Sequence, residues 1–140
     1  MSGIDYPMAA SILVVEDEFL VALEMQSILE ENGYRVLGIA ADLAGAMEYA
    51  SQSIDLALVD LNLRDGLTGP QIGERLANEY DAAVLFVTAN PRMLGDGVAG
   101  TIGVLTKPTD EETLLAATRF ALRYREDDTA EAPAAVLRFR

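Results

Sequence analysis

Short apolar runs alternate along this chain with longer stretches in which apolar residues recur every three or four positions. Ser11 to Val15 (SILVV) is a continuous apolar run of strand length. From Glu18 to Asn32, Val21, Met25, Ile28 and Leu29 stand at helical spacing, and Gly33 supplies a stop. Arg35 to Ala40 reads as a second strand. Asp42 can cap a helix carrying Leu43, Met47 and Ala50. Leu56 to Val59 is a third strand, followed by a loop over Arg64 to Gly69. A helix then starts near Pro70 with Ile72, Leu76 and Tyr80 on one face. Ala83 to Val87 and Ile102 to Leu105 are strands four and five. After them, Thr109 with Glu112 reads as a capping box opening a last helix striped by Leu114, Ala117, Thr118, Ala121 and Leu122.

Between strands four and five the pattern weakens. Pro91 and Met93 could start a helix, but Gly95, Gly97 and Gly100 each cost about 1 kcal/mol in a helix interior, so a short turn or loop is expected there. The whole predicts an α/β fold: a five-stranded parallel sheet, doubly wound, flavodoxin-like, with βα repeated five times and the fourth helix short or replaced by a loop. Its limits are 11–124, with 1–10 as an N-terminal extension and 125–140 as a flexible tail. The end of that tail, AAVLRFR, has enough β-propensity to add to an edge or a partner. Its plainer reading is a disordered end.

One strand breaks its own pattern. In LALVDLNLRDG (56–66) the apolar run ends on a carboxylate, Asp60. Open parallel sheets bind ligands beyond the carboxyl ends of their strands, and four of the five ends carry something polar there. Strand one ends in Glu16, Asp17 and Glu18, strand three in Asp60, strand four in Thr88, and strand five in Thr106 and Lys107. Each has an ordinary explanation by itself: acids complement a helix macrodipole, threonine caps a turn, lysine solvates a surface. Four strand ends would have to be ordinary together.

Composition narrows the chemistry. The 140 residues are 51% hydrophobic and 24% charged, which is globular, and no apolar run approaches the roughly 20 residues of a membrane span. There are no cysteines, so no disulfide or thiol chemistry, and a cytoplasmic location is expected. The N-terminus lacks a signal-peptide pattern. Net charge is −13; four acids against three bases in 125–140 contribute −1, so the remainder carries −12. That argues against duplex DNA or an anionic membrane as partner. Histidine is absent, and Lys107 is the single lysine beside nine arginines. Histidine-based catalysis and metal ligation are therefore excluded for this chain.

Carboxylates converging on one site repel by about 4 kcal/mol per pair at partly buried dielectric, so they need a cation. Oxygen ligands alone select a hard ion, Mg²⁺ above all. Such an ion beside an aspartate, a lysine and a threonine hydroxyl suits phosphoryl transfer, with Asp60 as nucleophile.

These residues resemble a known family. ILVVEDE (12–18), LALVDLNL (56–63), FVTAN (86–90) and LTKP (105–108) are similar, in order and spacing, to the motifs of two-component response regulator receiver domains of the stand-alone type, over roughly Ser11 to Tyr124. FVTANP is loosely similar to receivers of bacterial general stress and light signalling. The resemblance implies that Asp60 accepts a phosphoryl group from a phosphohistidine of a sensor histidine kinase. It also implies Mg²⁺ held by Asp17, Asp60 and the backbone carbonyl of Asn62, with Glu16 contributing directly or through water. Thr88 would hydrogen-bond the phosphoryl group, Lys107 would pair with it, and Pro108 would follow a cis peptide bond. Signalling would pass by protein contacts to a downstream protein or phosphotransfer partner, or the chain would act as a phosphate sink. Two positions depart from the pattern: Glu16 stands where aspartate is common, and Val104 where an aromatic is usual.

Two other readings compete. A receiver-like binding module independent of phosphorylation would not need Asp17, Asp60, Thr88 and Lys107 all intact. A phosphatase working through an aspartyl phosphate would carry a second aspartate at position 62, where Asn62 cannot donate a proton as general acid. A dinucleotide-binding domain is excluded, because EDEF and not a glycine-rich turn follows strand one.

Overall fold

A computed structural model describes residues 9–139. The extension expected over 1–10 lies almost wholly outside the described residues. The chain runs β1 (Ser11–Val15), α1 (Phe19–Glu31), β2 (Arg35–Ala40), α2 (Leu43–Tyr49), β3 (Leu56–Val59), α3 (Gly69–Tyr80), β4 (Ala83–Thr88), a 3₁₀ turn (Pro91–Leu94), β5 (Gly103–Thr106), α4 (Glu111–Glu126) and β6 (Val136–Arg138). The strands form one sheet in the order β2-β1-β3-β4-β5-β6. All neighbours are parallel except β5 and β6.

The period of two in each strand splits the core into two layers. Ile12, Val14, Leu56 and Leu58 face α1 and α4, meeting Met25, Leu29, Leu114 and Phe120. Leu13, Val15, Ala57 and Val59 face α2 and α3, meeting Ala46, Ile72 and Leu76. With helices on both sides, β1, β3 and β4 are buried along their whole length, which is why their sequences read as continuous apolar runs and not as alternations.

The fourth connection has no α-helix. After the 3₁₀ turn the chain takes positive φ at Gly95, Gly97 and Gly100, a path a right-handed helix cannot follow. Two expectations are corrected. The cap of α4 is Asp110, not Thr109: the Asp110 carboxylate accepts from the Thr113 N–H at 2.7 Å, and a carboxylate at a helix start also meets the positive end of the dipole. The tail does not lie free as a flexible end. Val136–Arg138 adds to β5 as a sixth, antiparallel strand, so the sheet is not five-stranded.

Candidate phosphoryl-transfer site

Register carries the reactive side chains to one place. Ile12 pairs with Leu56 and Val15 with Val59, so Glu16 and Asp60 leave adjacent strands side by side. The ladder continues past the strand ends. The Asp60 N–H donates to Val15 O at 2.9 Å, the Glu16 N–H to Ala40 O at 2.8 Å and the Lys107 N–H to Thr88 O at 2.9 Å. A crevice opens here because the connections from β1 and β3 leave toward opposite faces of the sheet, the switch point at which doubly wound sheets bind ligands.

Glu16, Asp17 and Asp60 each offer a carboxylate oxygen within 4.8 Å of the others. Glu16 is buried, Asp60 half-buried and Asp17 exposed, so the trio opens from the sheet toward solvent. The Asp60 carboxylate accepts from the Leu61 N–H at 2.7 Å through Oδ1, and Lys107 Nζ stands 3.0 Å from its Oδ2. Lys107 Nζ also donates to Glu16 Oε1, and the Glu18 N–H donates to Glu16 Oε2 at 3.1 Å. The lysine thus bridges two carboxylates that would otherwise repel.

Burial dominates at Glu16 and raises its pKa against the lowering influence of Lys107 and the Glu18 N–H. At Lys107 burial acts downward, but its hydrogen bonds to Glu16 and Asp60 and the charge of both outweigh it, and the ammonium is held above its usual value. The direction at Lys107 agrees with its two close carboxylate contacts, so the site carries a charged lysine.

The structure brings Glu16, Asp17, Asp60 and Lys107 together. Thr88 is buried at the adjoining strand end, where its hydroxyl accepts from the Asn90 N–H at 3.0 Å. Asn62 is exposed two residues beyond Asp60. The Lys107–Pro108 peptide is cis. Val104 is buried at its strand position.

Sequence reasoning missed the loop that leaves Asp60. Arg64 pairs with Asp42 at 2.5 Å, and its N–H donates to Ala41 O at 3.0 Å. Asp65 accepts from the Leu43 N–H at 3.0 Å and from the Thr68 hydroxyl at 2.6 Å. The loop after Asp60 is therefore stitched to the start of α2. The contacts of Arg64 with Asp42 and of Asp65 with Leu43 span 22 positions, and nothing in the local pattern signals them.

The donor set fits a hard cation: three carboxylates, no nitrogen or sulfur ligand, and an open side toward solvent. Among the described residues no helix is long and apolar enough to cross a membrane.

Residues 12–119 match the family profile described as "Response regulator receiver domain". The "Phyllosphere-induced regulator PhyR" of Methylorubrum extorquens is 36% identical over 86 residues, 60% of this chain and 32% of that protein. The "Transcriptional regulatory protein PdtaR" of Mycobacterium tuberculosis is 31% identical over 133 residues, 90% of this chain and 63% of that one. The chain thus spans less than two thirds of either relative. Among solved structures, the PhyR receiver domain of Erythrobacter litoralis superposes with a TM-score of 0.74 at 29% identity, covering 91% of this chain and 97% of that one. PhyR of Brucella abortus does so at 0.76 and 26% identity, covering 86% and 51%.

Proposed function

The chain belongs to the response regulator receiver domain family, and on that premise we propose that Asp60 accepts a phosphoryl group from a phosphohistidine of a sensor histidine kinase. The observation that carries this reading is the meeting of Asp60 with Glu16, Asp17 and Lys107 at the carboxyl end of the sheet. A carboxylate oxygen of Asp60 forms the new P–O bond, the P–N bond of the donor breaks, and its electron pair returns to the imidazole nitrogen. These 140 residues hold no histidine, so the donor histidine lies outside them.

Mg²⁺ held by Asp17, Asp60 and the backbone carbonyl of Asn62, with Glu16 directly or through water, would neutralise charge on the phosphoryl oxygens. Lys107 pairs with one of those oxygens, and the Thr88 hydroxyl hydrogen-bonds another. The Leu61 N–H at 2.7 Å holds Asp60 Oδ1 and so orients the carboxylate for attack.

The phosphorylated chain then signals through protein contacts, or drains phosphate from the kinase. Its family relatives are signalling proteins, and one structural relative, PhyR of Bartonella quintana, carries the description "anti-anti-sigma factor". By that likeness the downstream partner is a protein, and the net charge of −13 argues against duplex DNA.

Incubation with a phosphorylated sensor kinase and Mg²⁺ tests this. Label moves onto the wild-type chain and not onto Asp60→Asn; transfer that survives the substitution overturns the assignment.

A further inference from the structure

The segment Val136–Phe139 is seated as a ligand would be. It pairs with the outer edge of β5 in the register Gly103 with Arg138, Val104 with Leu137 and Leu105 with Val136, and the Phe139 N–H donates to Ile102 O at 2.9 Å. Its side chains alternate between the two layers. Val136 is buried in the α1/α4 layer, and Arg138 on the same side stacks on Tyr124 at 4.7 Å while donating to its hydroxyl at 3.0 Å. Phe139 enters the other layer beside Phe86, with ring centroids 6.3 Å apart.

Two glycines are shaped to this occupant. A Cβ at Gly103 would stand 2.3 Å from Leu137 O, and one at Gly97 would stand 2.5 Å from the Phe139 ring. The groove therefore has a backbone rail, an aromatic slot over Gly97 and an aromatic shelf at Tyr124. Only three residues of the occupant are in the ladder, and Leu137 is 65% exposed, so little holds it beyond these contacts.

We propose that the β5 edge is a second interaction surface, a β-augmentation groove that this chain fills with its own tail and that a partner protein fills in trans. The partner presents an extended basic segment of the same pattern, an aliphatic residue, then at the second and third positions after it an arginine and an aromatic. Basic character follows from charge: the chain outside 125–140 carries −12, whereas AAVLRFR carries two arginines and no acid. The partner is a different protein, not a second copy. A tethered tail sits at an effective concentration in the millimolar range, so an occupant in trans must bind more tightly than this tail does, and a second copy, which carries the identical tail, cannot displace it at micromolar concentration. This proposal is independent of phosphoryl transfer at Asp60.

The test uses the full chain. A labelled peptide of residues 132–140 binds a Val136→Ser, Phe139→Ala variant, whose own tail is weakened, about tenfold or more tighter than it binds wild type. Arg138→Glu in the peptide weakens that binding. Circular dichroism checks that the variant is folded. On wild type, millimolar peptide increases hydrogen exchange at the Phe139 amide, a reading that needs no substitution. Equal binding to both chains, or no binding to the folded variant and no change in exchange, overturns the proposal. So does a wild-type dimer at micromolar concentration that the tail substitutions dissociate, since the occupant is then a second copy.

Discussion

Gly69 lies so close over the peptide of Asp60 that a Cβ there would stand 2.0 Å from the Asp60 carbonyl oxygen and 2.5 Å from Leu61 Cα. Both obstacles are backbone and cannot rotate away. The first residue of α3 is therefore fitted to the main chain that carries the candidate phosphoacceptor. Gly69→Ala costs about 1–3 kcal/mol through overpacking. Urea unfolding reads this as a lower midpoint with an unchanged slope; an unchanged midpoint would show slack between α3 and the β3 end.

The acidic trio predicts a metal-dependent stability. A cation at 100 times its dissociation constant adds about 2.7 kcal/mol when only the folded chain binds it. Thermal melts with excess Mg²⁺ show a higher midpoint than melts with chelator. The gap closes in Asp17→Asn, which removes an exposed carboxylate without touching the core. Identical wild-type midpoints in the two conditions refute the idea.

Thr118 is fully buried in α4, and among the described residues its hydroxyl has no hydrogen-bond partner. Replacing an unsatisfied buried hydroxyl by a methyl of the same shape removes a desolvation cost of about 1–3 kcal/mol. Valine and threonine, both β-branched, have nearly equal helix propensities, so the exchange costs the helix little. Thr118→Val therefore raises stability by about 1 kcal/mol, measured by chemical denaturation.

The α4 cap sets part of the acid limb. The Thr113 N–H holds the Asp110 carboxyl below the usual 3.8, so the folded chain binds this proton less readily than the unfolded one. The stability it contributes is present above 3.8 and is lost as pH falls through the lower folded value. Asparagine caps about as well and does not titrate. Asp110→Asn thus matches wild type at pH 7 and loses less stability on acidification, a comparison made by urea midpoints at both pH values.

The sheet and the convergence at its end were legible because both are written locally. Strands covered on both faces show as unbroken apolar runs, and a polar residue directly after each run marks the strand end where parallel sheets gather side chains. The glycines at 95, 97 and 100 likewise declared the missing helix. What escaped depends on distant partners. The β-propensity of AAVLRFR allowed it to add to an edge but did not say that it would or to which: Val136 meets Leu105 and Phe139 meets Ile102, 31 and 37 positions earlier. The α4 cap was off by one residue because Thr109 and Asp110 both suit the role by type, and only geometry chooses between them. The resemblance paired Lys107 with a phosphoryl group; the structure finds it already occupied by Glu16 and Asp60, a competition no spacing reveals.

That last arrangement changes what kind of event cation entry is. The cluster carries a built-in counter-ion, so an arriving dication meets a site whose repulsion is already partly quenched. Association would then be ion exchange, the ammonium giving up carboxylate contacts as the metal gained them. Its strength then follows the difference between two pairings, and the affinity is lower, and less sensitive to added salt, than three unpaired carboxylates would give.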